Sequence, residues 1–94
     1  MKLAELQERI KRRARPGWRV HFERPEGSGW LSDMIPDRDE PAIAEEDRAW
    51  ELASEVAAAF PDAVNIYVIR ADDFTPIPDY RKRMIRPGYG GRHG

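Results

Sequence analysis

The chain has 94 residues, with 16 Lys and Arg against 17 Asp and Glu, two His, no Cys and 40% hydrophobic content. These figures describe one small, highly charged domain, and the lack of cysteine excludes a disulfide framework, a thiolate metal site and a cysteine nucleophile. The longest uncharged apolar stretches, 56–60 and 63–69, fall far short of the ~20 residues that span a bilayer, so no membrane span or signal peptide is expected and a reducing cytoplasm fits.

Leu3, Leu6 and Ile10 recur at three- and four-residue spacing in a run free of Gly and Pro, which predicts a short amphipathic helix over 1–15. Pro16 and Gly17 end it, and Lys11, Arg12, Arg13 and Arg15 suit the negative end of its dipole. Trp18, Val20 and Phe22 then alternate with Arg19, His21 and Glu23, the period of a half-buried strand, and the run from Trp30 to Ile35 is again strand-like. The intervening segment from Arg24 to Gly29 holds a proline and two glycines, so 17–35 is expected to form a hairpin with a loop longer than two residues.

The segment 44–60 carries the clearest helical pattern. Ala49, Leu52, Ala53, Val56, Ala59 and Phe60 fall on one apolar arc, Glu45, Glu46 and Asp47 favour the N-terminal end, and Trp50 sits at the arc's edge, where a half-exposed ring is expected. Val64, Ile66 and Val68 alternate with Asn65, Tyr67 and Ile69 in a third strand, 63–70. Two prolines, Pro76 and Pro78, favour an extended arm over 71–80 that Phe74, Ile77 and Tyr80 anchor across the sheet. The rest, 81–94, reads as a basic, Gly-rich flexible tail. The fold class is therefore α+β: a two-layer sandwich of order α-β-β-α-β, one three-stranded sheet packed by the second helix, with 1–80 a single domain. A crossover that returns the third strand parallel to the second allows the first strand to lie in the centre.

Catalytic chemistry finds little support. His21 belongs to a strand, His93 lies in a glycine-rich terminus that holds no proton-transfer geometry, and Ser28, Ser32 and Ser54 lie outside any nucleophile motif. Asp33, Asp37, Asp39 and Glu40 lack the spacing of an EF-hand, and Asp72, Asp73 and Asp79 are explained by turns. The glycines at 27 and 29 precede a strand, whereas phosphate-binding loops lead into a helix. No catalytic residue, metal or cofactor is assigned, and the expected class is a non-enzymatic protein.

Charge is segregated along the chain. Residues 1–16 carry six basic and two acidic side chains, 80–94 carry five basic and no acidic ones, and 37–62 hold nine acids against Arg38 and Arg48. Asp47, Glu51 and Glu55 recur four apart on the solvent side of the main helix, where like charges cost about 0.2–0.5 kcal/mol per pair. With Asp37, Asp39, Glu40 and Trp50 they form the candidate surface for a basic protein partner, with inhibition of a nucleic-acid-binding machine as the implied role. Small size, lack of cysteine and acidity are similar, in composition and not in motif, to small phage or mobile-element proteins that disable host nucleases. The alternative is a nucleic-acid accessory protein that contacts phosphate and stacks on bases through Arg12, Arg13, Arg81, Lys82, Arg83, Arg86, Tyr89 and Arg92. A third reading places a small ligand on the Tyr67 face of the sheet. A sequence pI near 6.1 is low for a dedicated nucleic-acid domain.

Overall fold

The fold was analysed in a computed structural model, which describes residues 2–5 and 17–88. Residues 3–5 are helical, and the remainder of the expected N-terminal helix, with residues 89–94, lies outside the described residues. The architecture is α+β. Strand β1 (Trp18–Glu26) and strand β2 (Gly29–Ile35) form an antiparallel hairpin, helix α1 (Glu46–Ala59) crosses over the sheet, and strand β3 (Val64–Arg70) returns antiparallel to β1. Sheet order is β2-β1-β3, so the first strand is central.

The hairpin turn is tighter than the composition suggests. Pairing runs without a break from Val20↔Ile35 to Glu26↔Gly29, and only Gly27 and Ser28 remain as the loop. Gly27 has φ +59 at the first central position, the backbone of a II′ turn that matches strand twist. Pro25 is tolerated inside β1 because β3 pairs only as far as Glu23↔Val64, so no neighbour on that side needs its missing N–H.

Alternation along the strands sends Val20, Phe22, Ile66 and Val68 to one face, where they meet Ala49, Trp50, Ala53 and Val56 of α1 in a single core. Small alanines at two of those helix positions let the backbone of α1 approach the sheet. The helix turns slightly from the arc expected of it: Ala59 is exposed, Ala57 and Leu52 are half-buried, and Trp50 lies inside.

The second edge of β3 is sealed by the chain that follows it. Arg70 N–H donates to Thr75 O (2.8 Å), Ile77 N–H to Val68 O (3.5 Å), Ile85 N–H to Ile66 O (2.9 Å) and Asn65 N–H to Arg86 O (2.6 Å). Ile77 inserts into the core, and a short helix α2 (Tyr80–Arg83) turns the chain between the two halves of this strap. Residues 71–80 are therefore not uniformly extended. Residues 81–88, expected within a flexible tail, are instead joined to β3 by backbone hydrogen bonds at Ile85 and Arg86 that composition does not reveal; the rest of that expected tail lies outside the described residues.

Candidate functional site

The acidic face is built by α1. Helical spacing brings Asp47, Glu51 and Glu55 onto the surface opposite the buried alanines, and all three are exposed. Arg48 donates to both Glu51 (3.0 Å) and Glu55 (3.2 Å), and these carboxylates raise its pKa above the ordinary guanidinium value. Such exposed pairs contribute little to stability. Among the described residues no other cation pairs with this face.

Arg83 and Arg86 of the C-terminal basic segment point elsewhere. Arg83 forms an ion pair with Glu46 (2.6 Å), and its guanidinium lies 4.5 Å from the centroid of the Trp50 ring. Trp50 in turn donates its indole N–H to Glu46 (3.1 Å) and is only 8% exposed. The half-exposed anchor expected at Trp50 is thus corrected. Its ring fills the space between helix and sheet, and the Arg83 that covers it comes from an element remote in sequence. Trp50 leaves the candidate surface and becomes part of what supports it.

Arg86 completes the far end of the same helix. No basic residue lies in the last turn of α1. Instead the Arg86 guanidinium donates to Ala57 O (3.0 Å), Phe60 O (3.2 Å), Pro61 O (2.7 Å) and Ala63 O (2.9 Å). Carbonyls left over at a helix end need donors, and a cation there also complements the dipole. Of the basic residues proposed for nucleic acid, Arg83 and Arg86 are thus engaged within the molecule, Arg81 and Lys82 are exposed, and Arg12, Arg13, Tyr89 and Arg92 lie outside the described residues.

The second acidic group, Asp37, Asp39 and Glu40, is exposed on the loop that joins β2 to α1. Arg19 fixes that loop. Its buried guanidinium donates to the carbonyls of Pro36, Asp37, Arg38 and Glu40. The loop then bridges back to the sheet through reciprocal hydrogen bonds of 2.9 Å between Trp18 and Ile43. Asp37 Oδ1 accepts the Arg38 amide, and the Arg38 guanidinium lies 5.1 Å from the centroid of the Phe74 ring.

The face of the sheet away from α1 carries an aromatic row. The His21 and Tyr67 rings lie 4.7 Å apart, as do those of Tyr67 and Tyr80. Burial, reinforced by Tyr80 and Glu23, pushes the Tyr67 phenol above its ordinary pKa. Glu23 lies 3.5 Å from His21 Nε2 and accepts the Asn65 amide at 3.0 Å. Beside this row a hollow of about 290 Å³ is lined by His21, Ser32, Asp33, Met34, Asp37 and Arg38. Ser32 and His21 are not hydrogen-bonded to each other, and the Ser54 hydroxyl donates to Trp50 O (3.3 Å) within its own helix. Among the described residues no group of three or more His, Asp or Glu could hold a metal ion, and no helix is long and apolar enough to cross a membrane.

In sequence and in structure, the chain matches no family model, no curated protein and no solved structure.

Proposed function

We propose that this chain is a small non-enzymatic binding protein that engages a basic protein surface through Asp47, Glu51 and Glu55 of α1, with Asp37, Asp39 and Glu40 as a second contact on the adjoining loop. One observation carries the reading: Arg83 and Arg86 turn to Glu46, Trp50 and the carbonyls at the end of α1, so the acidic face keeps only Arg48 as a neutralising partner among the described residues. Over the full chain 16 basic and 17 acidic side chains nearly balance, so attraction to a basic partner rests on the local concentration of acids in 37–62 and not on net charge. Carboxylates repeated along a rigid helix imitate a row of phosphates, so nucleic-acid-binding proteins belong to the class of partner that such a face attracts.

The test is the triple variant Asp47→Lys, Glu51→Lys, Glu55→Lys, compared with the native chain in quantitative capture from the native host. Circular dichroism checks its fold. Partners held by this face are lost by at least about tenfold, and their capture by the native chain weakens as salt rises. Equal capture by a folded triple variant would remove the proposal. A mobility shift of RNA that disappears in an Arg81→Glu, Lys82→Glu variant, with no protein captured, would transfer the role to the basic segment.

A further inference from the structure

Phe74 is a large aromatic side chain that the core does not use. It stands in the turn after β3, is 38% exposed and lies outside the hydrophobic cluster. Its backbone has φ +57, a conformation that asparagine and glycine adopt more readily than a bulky ring. Hydrogen bonds hold it there: Phe74 N–H donates to Arg70 O and Arg70 N–H to Thr75 O, both at 2.8 Å, and Thr75 N–H donates to Asp73 Oδ1 at 2.9 Å. The ring is thus fixed in place at the surface, and it already holds a guanidinium, that of Arg38, 5.1 Å from its centroid. Arg38 is itself exposed and forms no salt bridge among the described residues. It also lines the hollow of about 290 Å³, which gives it room to leave the ring.

The surroundings of the ring are acidic. The turn carries Asp72 and Asp73, and the loop that bears Arg38 carries Asp37, Asp39 and Glu40. All five are exposed, and none forms a salt bridge among the described residues. Turn and loop meet at the start of β1, where Ala71 N–H donates to Gly17 O (3.0 Å) and Trp18 bonds to Ile43. We propose that Phe74 is the aromatic anchor for an arginine of the basic protein partner, whose guanidinium takes the place that Arg38 holds on the ring. The inference rests on the acidic surface argued above, and it supplies the anchor that the buried Trp50 does not. Carboxylates attract any cation, whereas an aromatic face favours a planar, weakly hydrated guanidinium over a compact, strongly hydrated ammonium. Phe74 therefore adds a preference for arginine over lysine. Exchange of one guanidinium for another leaves no bare ring at any stage.

Calorimetric titration of the full chain with two blocked peptides of equal length, one alternating arginine with glycine and one alternating lysine with glycine, tests the anchor. The readout is the ratio of the two affinities, in which the common attraction of charge cancels. Phe74→Asn lowers that ratio by about two- to fivefold, the effect of one exposed cation–π contact, and leaves the lysine peptide's affinity unchanged. Its melting temperature is not lowered, because asparagine accepts the backbone of the turn. A folded Phe74→Asn chain that keeps the native ratio would overturn the inference. Should that variant fail to fold, Arg38→Gln decides: loss of the internal competitor raises the ratio, and an unchanged ratio rejects the anchor. The Asp47→Lys, Glu51→Lys, Glu55→Lys variant separates this inference from the reading beneath it. It weakens both peptides alike and preserves the ratio; if it weakens neither, the α1 face is rejected while the ratio still reports on Phe74. Binding of neither peptide at low salt rejects both.

Discussion

Arg19 and Arg86 close opposite ends of the sheet by one device: each guanidinium gathers four main-chain carbonyls, Arg19 from the loop after β2 and Arg86 from the end of α1 and the loop that follows it. Arg19 secures the loop that enters α1, and Arg86 secures the loop that leaves it. The rigidity of the acidic face therefore depends on two cations that do not lie on it.

Arg86→Ala should lower stability by about 1.5–3 kcal/mol, the range for hydrogen bonds made by a charged donor. Urea denaturation measures it. Arg86→Lys should recover only part of the loss, because one ammonium cannot span four carbonyls as a planar fork does. Full recovery by lysine would show that charge at the helix end, and not the bracket, is what matters.

Arg19→Met keeps the length of the side chain and removes its donors. Arg19 is 7% exposed, so the carbonyls it serves lose their partner in a site that water reaches poorly. A loss of about 2–3 kcal/mol is expected, with faster amide exchange in 36–40. Unchanged exchange in that loop would show that the bridge between Trp18 and Ile43 holds it alone.

Gly17→Ala tests the close approach of the chain to the same loop. A Cβ there would lie 2.6 Å from the Ala42 Cβ and 3.1 Å from the Ile43 carbonyl oxygen, a clash with main chain and with a side chain that cannot move aside. Overpacking of this kind costs about 1–3 kcal/mol, read as a lower melting temperature.

Alkaline titration should expose Tyr67. Its folded pKa is raised by burial first and then by Tyr80 and Glu23. The unfolded phenol therefore loses its proton first, and Tyr67 favours the folded state below the ordinary value of about 10 and destabilises it as pH climbs from there through the folded pKa. Phenolate absorbance should show a late component that is absent from Tyr67→Phe, and that variant should lose less stability between neutral and alkaline pH. A native titration with no late component would contradict the assignment.

Much of the fold is legible from short-range patterns. Alternation in Trp18–Phe22 and Val64–Ile69 and the alanine-rich arc of 49–60 give strand, strand and helix directly, because each pattern reports a single buried face. The acidic face is equally local, since helical spacing alone brings Asp47, Glu51 and Glu55 together. What stayed hidden depends on distant partners. The burial of Trp50 requires Arg83, and the order of 81–88 requires the edge of β3. At Asn65 the chain adopts φ +53 beside a shift in the β1–β3 register, and its side-chain amide donates to Glu23 and its oxygen accepts the Gly88 amide. Asparagine tolerates that conformation, but nothing in a run of strand-forming residues announces a bulge.

The strap from Thr75 to Arg86 also sets an order of events during synthesis. When β3 emerges from the ribosome, the segment that must cover its edge has not yet been translated, so the nascent sheet briefly offers that margin to its neighbours. Stop codons introduced before Ile77 would make that interval permanent. Shortened products of this kind are expected to accumulate in inclusion bodies and not as a smaller soluble protein.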